Sequence, residues 1–230
     1  ARRRGWELGG GVLVAGLGSL AFWVTPLDVW LAAGFYQPQG GADPWPMEQA
    51  LWVQVFYQGL PWFGVSLAAG SLAILLASLR WPGLRRWRPQ AWLLLLTLAL
   101  GPGLLINGVL KEEMLRPRPR QLEHFGGSLP YSPLWLRGSE GHSFPCGHCS
   151  AAFSPLVLWW GVRARWAWLV LAGGVSFGGL AGVGRMAAGG HFASDVLWSG
   201  LIVYGVGWAV WYLGLQGGRT GPELKLETPP

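Results

Sequence analysis

The sequence predicts an all-α, polytopic membrane protein with six transmembrane helices and short interfacial helices in its outer loops, and three observations predict it. Of its 230 residues, 51% are hydrophobic and only 12% charged, about half the charged share of an ordinary soluble protein. Six apolar runs approach the length of about 20 residues that a spanning helix needs. The basic residues fall mostly in alternate connections, so they gather on one side, as the positive-inside rule requires of a cytoplasmic face. Seventeen Trp and thirty-seven Gly fit the same class, because Trp collects at bilayer interfaces and Gly is frequent in membrane helices.

The first run, about 7–25, follows Arg2, Arg3 and Arg4. No small-residue cleavage site follows it, so it reads as a retained helix rather than a signal peptide. The connection 26–56 mixes aromatic and apolar residues with Pro and Gly, a composition that predicts short helices lying in the interface. The second run is 57–79; Arg80, Arg85, Arg86 and Arg88 separate it from the third, 91–110. Residues 111–148 are the longest polar stretch and hold three of the four His; a loop of that length is uncommon unless it is functional or disordered. The fourth run, 149–162, is short. Arg163 and Arg165 precede the fifth, 167–184, and the sixth is 193–214. Residues 216–230, with Arg219 and Lys225, read as a flexible cytoplasmic tail. Six crossings place both termini in the cytoplasm and the connections 26–56, 111–148 and 185–192 outside. The chain reads as one integral membrane domain.

The net charge of +6 would suit nucleic acid, but the cations sort by membrane side instead. Two Cys are too few for a disulfide framework. Lys111, Arg116, Arg118, Arg120, Arg137 and Arg185 fall on the outer side, against the topological trend. An anionic ligand is the reason that offers itself.

Three clusters at outer helix ends carry chemistry: Lys111 and Arg118 in KEEMLRPRP, Gly147 and His148 in FPCGH, and Arg185, His191 and Asp195 in GRMAAGGHFASD. The hairpin of the fourth and fifth runs returns Arg185 to the face that holds His148, so the clusters can meet. Lys and Arg can balance phosphoryl charge, Arg with paired donors and Lys as a point charge. An N–H at the start of the fourth helix favours an anion. One His can act as nucleophile and another as proton donor, and Asp195, one turn after His191, can fix its tautomer or cap the last helix.

Lysine, six residues, Arg-Pro (Lys111, Arg118, Pro119), then Pro-x-Gly-His (Pro145 to His148), then Arg, five residues, His, three residues, Asp (Arg185, His191, Asp195) resembles the tripartite signature of the type 2 phosphatidic acid phosphatases. The resemblance covers about residues 90–215. It implies a membrane lipid phosphatase or pyrophosphatase that needs no metal and no cofactor. His191 would form a phosphohistidine, Asp195 would orient it, and His148 would protonate the leaving group and then activate water. Lys111, Arg118, Arg185, Cys146 and the Gly147 N–H would hold the phosphate. It also implies a bacterial inner membrane, an active site on the outer face, and a substrate such as undecaprenyl pyrophosphate, phosphatidic acid, phosphatidylglycerophosphate or the 1-phosphate of lipid A. Two positions depart from the pattern: Cys146, whose thiol is a weaker donor than a hydroxyl, stands where the family usually has Ser, and Gly184 stands where Ser usually precedes the Arg.

Other readings remain beside this one. The same phosphohistidine could serve a lipid phosphotransferase. Cys146 and Cys149 in CGHC could mark a thiol oxidoreductase, although such a pair normally opens a helix after a strand. His142, Cys146, His148 and Cys149 could hold a metal. Outward cations could serve a transporter, which would be expected to carry charge within its spans. His124 and His142 lie outside the motifs; Arg116 and Arg120 read as headgroup contacts, and Glu112 and Glu113 as solvated charges. Trp159, Trp160, Trp166 and Trp168 read as a cytoplasmic interface belt.

Overall fold

A computed structural model describes residues 2–39 and 43–216. Within them regular structure is helical, apart from one isolated bridge between Leu122 and Leu129. The tail beyond residue 216, with Arg219 and Lys225, lies outside the described residues.

Helix α1 is Arg2–Val24, α2 Leu27–Ala33 and α3 Leu51–Arg80. Helix α4 is one rod made of Arg88–Leu98, a π-helical stretch Ala99–Leu110, and Lys111–Met114. Helix α5 is Gly147–Phe153, continued as a 3-10 helix over Ser154–Trp160; α6 is Ala164–Ala187, and α7 is Ala193–Ala209 with a π-helical end Val210–Leu215. Five segments are long and apolar enough to cross a membrane: Gly5–Val24, Leu51–Arg80, Pro82–Gln121, Ala164–Ala187 and Ala193–Leu215. These are the first, second, third, fifth and sixth sequence runs.

The fourth run differs. Its seven α-helical and seven 3-10 residues rise about 25 Å, short of the ~30 Å hydrocarbon layer. It tolerates this because protein, not lipid, surrounds it. Cys149, Ser150, Ala152, Phe153, Ser154, Leu156, Val157, Trp159 and Trp160 are all buried. Its Ser154 hydroxyl donates to the Ser150 carbonyl at 2.8 Å, and Pro155 then favours the tighter winding. Gly174 and Gly178 of α6 face Leu156 and Phe153 with no room for a Cβ, the close approach by which membrane helices gain packing contacts.

Lipid-facing surface is the converse. Val12, Leu13, Leu17, Val65, Leu76, Leu169 and Val175 are at least half exposed, a belt that only an apolar solvent would match. The Trp belt is half as expected. Trp166 and Trp168 are exposed, whereas Trp159 and Trp160 are 7% exposed, and Trp160 Nε1 donates to the Glu7 carboxylate at 2.8 Å. That bond, with Tyr212 donating to the same carboxylate oxygen at 2.7 Å, ties α1 to the bundle.

The interfacial helices predicted for 26–56 are α2 and a 3-10 turn, Pro46–Gln49; α3 begins earlier than expected, at Leu51. Trp45, Leu122, Phe125 and Phe192 form a small apolar cluster joining the three connections predicted to lie outside. Gly189, at φ +62°, lies flat against the Trp45 indole where a Cβ would collide. These connections are therefore a packed cap on the helix ends.

Candidate active site

The predicted groups stand at helix ends or in the segments that join them. Pro102, lacking an N–H, sits in the π-helical stretch of α4, and its carbonyl accepts from Asn107 Nδ2 at 2.7 Å. Wide turns of this kind re-aim the residues that follow them, here Asn107 and Lys111. Leu115, at φ +45°, ends α4. Arg118 then lies extended between Pro117 and Pro119, its N–H bound to Gln121 Oε1 at 2.8 Å. Gly147 and His148 open α5, Arg185 is in the last turn of α6, His191 is in the link 188–192, and Asp195 is in the first turn of α7.

These ends converge. A Cβ on Gly147 would sit 2.6 Å from Asn107 Oδ1 and 3.0 Å from Lys111 Nζ, so only glycine lets α5 start this close to α4. The Tyr57 ring stacks on His148 at 5.0 Å and 25°, and the Arg185 guanidinium lies over the same Tyr57 ring at 4.5 Å. Lys111 is within electrostatic range of both Arg118 and Arg185, and His148 of Arg185, His191 and Lys111. Tyr57 was not singled out in the sequence; one aromatic at the outer end of an aromatic-rich span carries no distinguishing signal.

The six cations predicted to lie on the outer side divide into two sets. Arg116, Arg120 and Arg137 each have a carboxylate partner: Asp28 and Asp195 for Arg116, Glu48 for Arg120 at 2.6 Å, and Glu113 for Arg137 at 3.9 Å. Among the described residues Lys111, Arg118 and Arg185 have none within ion-pair distance. Arg185 is only 7% exposed, and its Nε is buried without a hydrogen-bond partner among the described residues. Gathered uncompensated cations of this kind leave a place for an anion of two or more charges.

His191 is held differently from expectation. Its Nδ1 is 2.6 Å from the Ser143 carbonyl and 3.7 Å from Asp195 Oδ2. Since a carbonyl only accepts, Nδ1 carries the proton and Nε2 keeps its lone pair. Asp195 acts one step back: Oδ2 accepts from the Ser143 hydroxyl at 2.6 Å and from the Phe192 N–H at 2.8 Å. It thus caps α7 and supports the segment that holds the imidazole, without bonding the ring. Burial pushes the His191 pKa down to about 4, with Asp195 opposing the shift and Arg185 and Lys111 reinforcing it. The ring is neutral at physiological pH, as a nucleophile must be.

Arg116, read from sequence as a headgroup contact, is fully buried. It bonds Asp28 at 2.8 Å, Asp195 at 2.5 Å, the Ser194 hydroxyl at 2.8 Å and the Ser132 carbonyl at 3.0 Å. Arg120 is likewise a tie between loops: besides Glu48 it binds the Ala188 carbonyl. His142 lies at the exposed rim, near the Lys111 carbonyl at 3.4 Å, and His124 packs edge-on against Phe125.

Cys146 does not fill the role of a phosphate donor. It forms a disulfide with Cys149, its sulfur accepts from the Cys149 N–H at 3.2 Å, and both residues are fully buried. A disulfide sulfur has no proton to offer. The bond also separates both sulfurs from the metal set considered above, and their burial removes the access that thiol exchange requires.

Below Lys111, Asn107, Gly147 and His148 a groove of about 450 Å³ runs between α3 and α4, past Ala151, Gly103, Ala99 and Gly64 to Leu95 and Ala68. It begins at the polar cluster and continues among apolar walls. Polar groups that meet an anion at the head of an apolar groove suit an amphiphile with a charged phosphate.

The pattern of the PAP2 superfamily matches residues 90–218, the stretch that contains every motif above. This chain belongs to the PAP2 superfamily. It is also similar to two bacterial proteins named lipid A 4'-phosphatase. That of Francisella tularensis subsp. novicida (strain U112) is 36% identical over 136 residues, 56% of this chain and 60% of the relative. That of Rhizobium leguminosarum is 36% identical over 114 residues, 47% of this chain and 49% of the relative. The match thus spans only half to three-fifths of the relatives' own length. No solved structure matches the chain.

Proposed function

We propose that this PAP2 protein is a lipid phosphatase of a bacterial inner membrane, which hydrolyses a phosphate monoester on a membrane lipid at the outer face through a phosphohistidine. The observation that carries the reading is the trio Lys111, Arg118 and Arg185, none paired with a carboxylate among the described residues, gathered with two histidines where an apolar groove meets Lys111 and His148. The names of the relatives favour the 4'-phosphate of lipid A over the other lipid phosphates.

The phosphoryl oxygens rest against Lys111, Arg118, Arg185 and the Gly147 N–H. His191 Nε2 attacks phosphorus, the bond from phosphorus to the lipid oxygen breaks, and that oxygen takes a proton from His148. Burial, and after it the Arg185 and Lys111 cations, disfavour a charged His148; a phosphate dianion beside the ring opposes both and lets it arrive protonated. Positive charge on the phosphorylated His191 is balanced by Asp195, 3.7 Å away. Water then gives a proton to His148 and attacks phosphorus, the P–N bond breaks, and phosphate leaves. The acyl chain nearest the phosphate lies in the groove between α3 and α4.

The test is a panel of lipid phosphates in detergent: 4'- and 1-phosphorylated lipid A, phosphatidic acid and a prenyl pyrophosphate. The expected result is phosphate release, greatest from the 4'-phosphorylated lipid, with His191→Ala reducing turnover by roughly 10³-fold or more. Full turnover by His191→Ala would overturn the mechanism, and consumption of lipid without phosphate release would assign transfer instead of hydrolysis.

A further inference from the structure

The proton on His191 depends on an arrangement that the motifs do not contain. The Asp195 carboxylate faces two ways: Oδ1 meets Arg116 Nη1 at 2.5 Å, and Oδ2 meets the Ser143 hydroxyl at 2.6 Å. Both are fully buried, Ser143 and Arg116 alike. Arg116 is itself fixed from the far side, because Asp28 takes its Nη2 at 2.8 Å and also accepts from the Ser194 N–H at 2.9 Å and the Ser194 hydroxyl at 2.5 Å. Its guanidinium lies 4.6 Å over the Phe192 ring, the neighbour of His191. The carboxylate is therefore clamped beside the imidazole and 3.7 Å from its Nδ1.

We propose that Arg116, Asp28 and the Ser143 hydroxyl are positioning residues that hold Asp195 off His191, so that the ring donates to the Ser143 carbonyl and not to the carboxylate. The inference rests on the reading of His191 as nucleophile. A direct bond to a buried carboxylate would favour the charged imidazolium, and a protonated ring has no lone pair for attack. The clamp keeps the anion near enough to balance the charge that develops during attack, and far enough to leave the resting ring neutral. Arg116 touches no substrate in this scheme; it acts only through Asp195.

The other groups acting on His191 are Arg185 from α6, Lys111 from α4 and His148 from α5. All three are cationic or can become so, and they oppose its protonation. Among these described groups only Asp195 favours it, so freeing that carboxylate has one sign. Without Arg116, or without the Ser143 hydroxyl, the carboxylate closes the gap to Nδ1 and the ring takes up a proton at higher pH. The consequence is an acid limb of kcat/KM displaced upward.

The experiment is the pH profile of kcat/KM for the full chain in detergent, with a 4'-phosphorylated lipid A as probe and lipid phosphate loss as readout. The wild type should lose activity on the acid side as the lipid phosphate, with a second pKa of about 6, and then His191, pushed down to about 4 by burial, take up protons. Dividing by the dianion fraction of the substrate isolates the His191 limb. Ser143→Ala and Arg116→Met should move that limb up by a pH unit or more, lowering kcat at neutral pH with KM within about twofold. Ser143→Ala removes one oxygen and keeps the backbone carbonyl, so it decides the matter even if Arg116→Met fails to fold. An acid limb of wild-type position in folded Ser143→Ala overturns the inference, because a merely structural role lowers the active fraction without moving the limb. His191→Ala is run beside them: if it is inactive while the limb of Ser143→Ala stays put, the clamp alone is wrong, and if it remains active, the nucleophile assignment fails first.

Discussion

Arg116 and Arg118 are two residues apart in one RPRPR run, yet they belong to regions built on opposite principles. Around Arg116 charge is closed: two carboxylates, two hydroxyls and a carbonyl surround a guanidinium of 0% exposure. Around Arg118 charge is open, with Lys111 and Arg185 nearby and no carboxylate of the described residues paired to any of the three. Burying a charge costs several kcal/mol unless partners restore what water supplied. The first region meets that cost within the protein, so it is architecture. The second leaves it unmet, and an anionic ligand is what completes it.

Breaking the closed region should have the largest effect on stability. Asp28→Ala takes from Arg116 one of its two buried carboxylates and from Ser194 the acceptor of both its N–H and its hydroxyl, a loss of about 3–5 kcal/mol. Thermal unfolding in detergent should show a midpoint lower by roughly 10 °C; a change of a degree or two would mean that Asp28 is not part of the clamp.

Removing a charge from the open region should do the reverse. Arg185→Ala should lower kcat/KM by roughly 10²–10³-fold, as loss of one oxyanion donor does, while the unfolding midpoint stays or rises. The physical reason is that Arg185 is desolvated among like charges, with its Nε unmatched within the described residues. A fall in midpoint as large as that of Asp28→Ala would show that Arg185 has a structural partner and would erase the distinction between the regions.

The two regions also differ in how far the sequence discloses them. Lys111, Arg118, His148, Arg185 and His191 are legible because their motifs fix them at helix ends, and helix ends follow from hydropathy. Asp28 is not legible as a partner of Arg116, since 88 residues separate them and nothing local requires the bond. The alternation of Arg and Pro hides which arginine turns inward. The spans α1, α3, α4, α6 and α7 are legible because each shows lipid an apolar face along its length. The 147–160 segment escapes that rule: sheathed in protein, it has no lipid length to match. His191 shows the limit most clearly. The i, i+4 spacing places Asp195 near the ring, but the choice between the carboxylate and the Ser143 carbonyl is made by Arg116 from another segment.

The smallest expected effect is at Arg137, and it tests the comparison from its weak side. The predicted topology assigns Arg137 to the outer face against the charge trend, like the other five cations, and would by itself rank it with Arg118. Its guanidinium and the Glu113 carboxylate are 64% and 69% exposed and 3.9 Å apart. Water and counterions screen such a pair, whose contribution is about 0–1 kcal/mol. Arg137→Ala should therefore leave the midpoint within a degree or two and turnover of a lipid phosphate within about twofold, where Arg118→Ala should not. If both substitutions cost turnover equally, the headgroup is gathered by the summed field of the outer face, and pairing in the structure would not be what separates a ligand cation from a bystander. If Arg137→Ala is silent, lack of a protein partner is the property that marks the phosphate site.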